Sequence, residues 1–313
     1  MLTINDLQFS DLYLSKDFFS FKHDGQVSRI DDPLQQEAAK LFDRVMTEYA
    51  VDGRNEFTIE YAGQRYRVVI LDSISGSRVV LRRINSYISP WDKLGFPKFY
   101  LQNLLLPSLQ KSDAERGGLI LIAGRPDSGK TTTCYSLINT ILNKHPWACM
   151  TIEDPVETIL PETYPTGACV TQLEVPSSDF ASALKSGLRA NKDLIMVGEI
   201  RDSYGAQLAI AGAQTGHLVI TTLHAADIPN ALERFIDIAG HDDIIVNVLS
   251  DVFRGCIWQT LAKHHGLENR ILGCQSLFSS KSVASRIKTR NFAQLVTDIE
   301  RQKIQLEQEV NSG

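Results

Sequence analysis

The sequence predicts an α/β protein of two domains: a smaller N-terminal α+β domain, then an α/β domain built on a parallel sheet. Three observations carry this reading. A chain of 313 residues exceeds the roughly 100–200 residues of one ordinary domain. Strand signals in the first part alternate apolar and polar residues, as in an antiparallel sheet with one wet face. From Gly118 onward the strand-like runs are continuously apolar and alternate with helical stretches, the pattern of parallel strands covered on both faces.

In chain order, Asp32, Pro33 and Gln35 read as an N-cap, a first-turn proline and a capping-box partner. Leu41, Phe42, Val45, Met46 and Tyr49 then recur at helical spacing, which predicts a helix over 33–50 with one buried face. Phe57, Ile59 and Tyr61 alternate up to a turn at Gly63. Tyr66, Val68 and Ile70 resume beyond it, and Gly76 precedes a third strand over Val79–Ile84. Residues 85–117 read as a connector holding a short helical stretch over Phe99–Leu106, followed by a polar run from Gln110. The expected division is 1–98 for the N-terminal domain, 99–117 for the linker and 118–313 for the second domain. Buried strands are expected at Leu119–Ala123, Ala148–Ile152, Leu194–Val197 and Leu218–Thr222, with a helix over Thr132–Asn143.

Composition narrows the function classes. Hydrophobic content of 43% and charged content of 22% are those of a folded globular chain, not a disordered one. A net charge of −5 supplies no overall basic field, so no nucleic-acid partner is expected. Five cysteines, odd in number and without a CxxC pair, predict reduced, buried thiols and no tetracysteine zinc site. The N-terminus lacks a signal-peptide pattern and no run of about 18 apolar residues occurs, so a cytoplasmic location is expected, with membrane contact only through partners.

The sharpest motif is Gly124-Arg125-Pro126-Asp127-Ser128-Gly129-Lys130-Thr131, followed by Thr132. It matches GxxxxGK[ST], in which backbone N–H groups surround phosphate oxygens at a helix N-terminus. Lys130 is expected to neutralise the β- and γ-phosphates of ATP, and the Thr131 hydroxyl to ligate Mg²⁺. Asp127 sets a carboxylate in a loop meant for anions, which predicts weakened phosphate binding. Three further segments stand in order behind it: Thr151–Glu157, Leu194–Asp202 and Thr215–His224. A carboxylate at Glu199, after four apolar strand residues, points toward the Mg²⁺ shell from the carboxyl end of a sheet. Arg201 and Asp202 are expected to pair structurally or to contact a second subunit. His217 and His224 flank the fourth strand, and His224 is the better candidate for sensing a γ-phosphate.

Together the P-loop, acidic box, glutamate-bearing Walker B segment and histidine box resemble the secretion ATPase superfamily of type II secretion and type IV pilus motors. The resemblance is strongest over Gly118–Leu261. It implies a RecA-like P-loop domain behind a PAS-like N-terminal domain. It also implies ATP hydrolysis in a homo-hexamer docked on an inner-membrane platform protein, with a paralogous ATPase as a further possible partner. Carried over by position, Glu157 matches the catalytic glutamate, while Glu153 and Asp154 shape the loop or hold Mg²⁺ through water. Arg67 and Arg82, in strands resembling those that bear the family's arginines, are expected to reach the nucleotide; Arg78 and Arg83 are rivals. Asp127 replaces a common glycine, and the four-cysteine element and long N-terminal region of pilus-extension members are missing. The short form most resembles the PilT-type pilus-retraction motors and the ATPases of type IVB secretion and conjugation. A regulatory subunit that binds nucleotide weakly is the alternative the motifs allow.

Overall fold

The computed structural model describes residues 3–23, 25–84, 86–109, 117–263 and 270–312. They form two compact units: Met1–Tyr87 with Asp154–Ile159, and Ile88–Glu153 with Leu160–Gly313. The first unit begins with strands β1 (Asp11–Leu14), β2 (Phe19–His23) and β3 (Gln26–Arg29), then helix α1 (Asp32–Asp52). Strands β4 (Glu56–Tyr61), β5 (Gln64–Ser73) and β6 (Gly76–Arg83) follow. All six join one antiparallel sheet in the order β3-β2-β1-β6-β5-β4. The three later strands are those the alternation predicts; β1 to β3 were not anticipated, because their short segments lack a sustained period-two pattern.

The pleat sorts this sheet into two faces. Tyr66, Val68 and Ile70 of β5 and Val79 and Leu81 of β6 point inward and pack with Leu34, Ala38, Leu41 and Val45 of α1. Each such side chain, fully buried, contributes about 1.5–3 kcal/mol relative to an exposed position. Arg67 and Arg82 fall on the opposite face. The cap of α1 differs from expectation by one residue: Asp31 is the N-cap, and Pro33 lies in the first turn. The amide of Gln35 donates to the Asp32 carboxylate at 3.0 Å instead of closing a capping box. Gly53 ends the helix in the left-handed region (φ 72°), its N–H bonded to Tyr49 O at 2.8 Å.

The second unit carries α2 (Lys98–Leu109), β7 (Gly118–Gly124), α3 (Lys130–Leu142), β8 (Ala148–Glu153) and β9 (Cys169–Glu174). Next come α4 (Phe180–Arg189), β10 (Leu194–Glu199), α5 (Ser203–Gln214), β11 (Leu218–Leu223), α6 (Ile228–Ala239) and α7 (Asp243–Val252). The hairpin β12 (Phe253–Lys263) and β13 (Arg270–Phe278) precedes α8 (Lys281–Lys288) and α9 (Leu295–Ser312). The sheet order is β13-β12-β7-β11-β10-β8-β9, parallel except for the β12/β13 pair. All seven residues of β7 are buried, which is why the strand reads as an unbroken apolar run. Between β7 and β8 the chain crosses over two strands, so a crevice opens at the carboxyl ends beside β7, where ligands of open α/β sheets bind.

The division between units falls after Tyr87, earlier than the expected boundary near residue 98. Within the expected linker, α2 sends Tyr100, Leu104 and Leu105 into the second unit's core beside Trp91 and Phe96, and Tyr100 meets the Phe278 ring edge-on. Phe99 and Leu101 pack against the same cluster. The polar run over 110–116 lies outside the described residues. Of the cysteines, Cys134, Cys149 and Cys256 are buried as expected, but Cys169 is exposed and Cys274 half-buried. Burial pushes the Cys149 and Cys256 thiols far above their ordinary range, which leaves them inert. No group of three or more metal-ligating side chains occurs among the described residues. No described helix is long and apolar enough to cross a membrane.

Candidate functional site

The loop between β7 and α3 is shaped by three residues with positive φ: Gly124 (155°), Asp127 (58°) and Gly129 (84°). A Cβ on Gly124 would stand 2.3 Å from Gln259 O and 2.5 Å from Ser128 Oγ, so only glycine fits. Asp127 occupies a left-handed conformation in which Asp and Asn are tolerated at a cost. That is the physical content of its departure from glycine. Backbone of alternating hand turns successive N–H groups to one side and makes an anion nest.

At the start of α3, the Lys130 residue is 8% exposed, and its ammonium donates to the Arg125 carbonyl at 2.9 Å. The same Nζ lies 3.3 Å from Nδ1 of His224, just past the end of β11. An ammonium is donor only, so Nδ1 must accept and the ring proton sits on Nε2. That atom is 3.7 Å from Oε1 of Glu199, the last residue of β10. The other carboxylate oxygen of Glu199 takes the Arg201 guanidinium at 2.7 Å. Four side chains from three neighbouring strand ends thus form the array Lys130–His224–Glu199–Arg201. Arg201 pairs with Glu199, and not with Asp202, whose carboxylate caps α5 through Gly205 N at 2.8 Å.

His217 is separated from this array. Its carbonyl accepts from Gly118 N at 3.1 Å, and its Nδ1 lies 3.1 Å from Gly212 O. The register aligns Leu218 with Gly118 and Leu223 with Ala123, so His217 marks the amino edge of the sheet and His224 the carboxyl edge, roughly 20 Å apart along the strand. In its own chain His217 therefore does not meet the P-loop, contrary to its expected place among the nucleotide contacts. Glu153 is 3% exposed and accepts from Tyr135, from Thr151 at 2.6 Å and from Gln172 at 3.3 Å. Those bonds fix β8 to α3 and β9. Glu157 lies in the segment Asp154–Ile159 of the first unit.

Two residues of β12 that sequence reasoning passed over hold the site. Gln259, 1% exposed, donates to the Ser128 carbonyl and accepts from Thr133 Oγ1 at 2.8 Å. The Trp258 indole donates to Ala225 O at 3.1 Å, next to His224. The available signal was a glutamine directly behind the apolar pair Ile257-Trp258. A cleft of about 350 Å³ opens beside the P-loop, lined by Arg125, Pro126, His224, Ala225, Ala226, Asn230 and Arg234.

In the first unit Arg67 and Arg82 stand directly opposite each other on β5 and β6. Like charges so placed repel, and each is balanced from the outer neighbour. Glu56 takes the Arg67 Nε at 2.7 Å, and Asp11 takes Arg82 at 2.9 Å. Arg83 donates to the carbonyls of Ile4, Asn5 and Leu7 at 2.7–3.0 Å and covers the Phe9 ring at 4.3 Å, a structural placement. Arg78 reaches Ser75, at 3.5 Å.

The family model described as type II/IV secretion system protein matches residues 13–301. The chain belongs to this family. Among its relatives, the type IV pilus retraction ATPase PilT of Pseudomonas aeruginosa is 30% identical over 93% of this chain and 85% of its own length. A twitching motility protein of Neisseria gonorrhoeae is 31% identical over 74% of this chain, which spans 60% of that protein. The type II secretion system protein E of Xanthomonas campestris is 31% identical over 70% of this chain but only 36% of its own length. A crystal structure of the pilus retraction motor PilT with bound ADP superposes with a TM-score of 0.80 at 27% identity, covering 95% of this chain and 89% of that one. The Legionella pneumophila ATPase DotB shares the fold, with a TM-score of 0.76 at 22% identity over 93% of this chain and 84% of that one. For this type II/IV secretion system protein, the α/β fold with a RecA-like second domain follows from those likenesses.

Proposed function

We propose that the chain is a motor ATPase that hydrolyses Mg-ATP at Gly124–Thr132 to drive a pilus or secretion machine. It is an ATP hydrolase by family; the role in pilus dynamics, retraction above all, or in protein secretion or conjugation is the proposal. The observation that carries it is the array at the sheet's carboxyl edge, in which His224 joins the P-loop lysine to Glu199.

Each chain group has a definable task. The loop N–H groups and Lys130 bind the phosphate oxygens, which replace the Arg125 carbonyl as the lysine's acceptor. Glu157, matched by family position, is the carboxylate that orients an attacking water and takes its proton as the P–O bond breaks. Glu199, at the end of β10, is the rival for that role. His224, released from Lys130, is placed to register the γ-phosphate. The Thr131 hydroxyl and the Glu199 carboxylate, directly or through water, are the hard oxygen donors a magnesium ion requires. When bound, that ion neutralises charge on the phosphates. Arg67 and Arg82 are proposed to complete the site of another copy in a homo-hexamer, supplying charge late in the reaction. An inner-membrane platform protein and a paralogous ATPase are the proposed partners of a cytoplasmic ring, with no nucleic acid.

Steady-state ATPase activity of the wild type beside Lys130→Ala, Glu199→Gln and Glu157→Gln, with mass read by light scattering, tests the reading. Slow turnover that rises with assembly and vanishes in Lys130→Ala supports the motor. The left-handed Asp127 favours one alternative, a regulatory subunit that binds nucleotide weakly. A wild type that binds ATP but never turns it over would select it.

A further inference from the structure

We propose that Gln259 is a positioning residue of the P-loop, acting on the phosphate through the Ser128–Gly129 peptide; this rests on the nucleotide reading above. The amide of Gln259 sits between two parts of the phosphate cradle. Its Nε2 donates to the Ser128 carbonyl, and its Oε1 accepts from the Thr133 hydroxyl at 2.8 Å in the first turn of α3. In a trans peptide the C=O and the following N–H point in opposite directions. Holding the Ser128 carbonyl toward β12 therefore turns the Gly129 N–H away from β12. No acceptor for that N–H occurs among the described residues, so it is a donor kept for an anion. Gly129 needs its left-handed φ of 84° for the same plane, and a Cβ there would meet Gln259 Nε2 at 3.2 Å and Leu261 Cδ1 at 3.1 Å.

The position suits the task. Register places Gln259 beside Gly124 on the adjacent strand, and it is 1% exposed in a strand whose neighbour Ile257 is core. A buried amide costs stability unless both ends are bonded, and here both bonds go to the loop and helix that cradle phosphate. Fold stability alone would be served by an apolar side chain.

ADP binding by calorimetry and ATP turnover by the full chain test this, with the wild type, Lys130→Ala, Gln259→Met and Gln259→Glu compared. Gln259→Met keeps the volume and removes both bonds. It is expected to raise the ADP Kd and the ATP KM about tenfold, the effect of losing one such hydrogen bond, with kcat within about threefold and a lowered unfolding midpoint, because the buried Ser128 carbonyl and Thr133 hydroxyl lose their partner. Wild-type ADP affinity in Gln259→Met, beside loss in Lys130→Ala, overturns the proposal while leaving the P-loop reading intact. A fall in kcat at unchanged KM also overturns it. If the methionine variant does not fold, Gln259→Glu is read instead. It retains an acceptor for Thr133 and sets a carboxylate oxygen against the Ser128 carbonyl, so a larger loss of ADP affinity is expected, and wild-type affinity sinks the idea. No ADP binding by the wild type overturns both readings together.

Discussion

Lys130 Nζ and His224 Nδ1 are 3.3 Å apart, so the P-loop's cation shares its protons with a histidine on the neighbouring strand end. A phosphate that draws on Lys130 competes with this contact, and the ring is then free to turn. The competition gives His224 a means of responding to the outermost phosphate. His224→Ala is expected to lower kcat about ten- to hundredfold, within the ordinary range for a lost polar contact at a reacting group. ADP affinity should stay within about twofold, because ADP lacks the group being sensed. Stopped assays and ADP calorimetry on the same preparation separate the two, and equal losses in both would show that the histidine merely shapes the loop.

Glu199 is tied to both His224 and Arg201, which holds its carboxylate at the end of β10. Glu199→Gln keeps the shape and can still accept from Arg201, but it cannot take a proton from water. Turnover is expected to fall by at least about 10², with ATP still bound. Glu157→Gln is the comparison that assigns the role. If Glu157→Gln abolishes turnover and Glu199→Gln only weakens it, the proton acceptor is Glu157 and the array serves the metal and the phosphate.

Much of this was legible in the residues for a simple reason. Buried parallel strands must be apolar throughout, and a phosphate nest needs glycine where a Cβ collides, so β7, β8, β10, β11 and the loop at Gly124–Lys130 announce themselves. What stayed hidden depends on contacts between distant segments. Gln259 reaches Ser128 across 131 positions, and no local pattern marks such a bond. His217 and His224 look equivalent in the sequence, and only the direction of β11 puts one at each edge. Local polarity made 99–117 read as a linker, whereas Tyr100 and Leu104, four positions apart on one helix, are core residues.

Asp127 holds φ 58° where a side chain adds steric cost and its carboxylate adds repulsion toward phosphate. Asp127→Gly removes both. The left-handed cost for a non-glycine residue is about 1–2 kcal/mol, so the variant is expected to be modestly more stable. It should bind ADP about three- to tenfold more tightly. The electrostatic part should shrink from low to high salt as screening sets in. Calorimetry at two ionic strengths checks this. Weaker binding in the variant would mean that the carboxylate organises the loop.

The row Glu56–Arg67–Arg82–Asp11 crosses four adjacent strands, and it separates the charge of Arg82 from its structural pairing. Arg82→Gln removes the guanidinium and the pair together; Asp11→Asn removes the pair and leaves the guanidinium. The Arg82 side chain is 66% exposed, so the pair itself is worth no more than about 1 kcal/mol. If Arg82 supplies charge to the phosphates of a neighbouring copy, Arg82→Gln abolishes turnover while ADP binding and assembly persist, and Asp11→Asn retains turnover. If the arginine only pins β1 to β6, both variants lose the same small amount of stability and both keep turning over ATP. Turnover measured with light scattering on the two variants decides which, and turnover retained in both assigns Arg82 to the sheet.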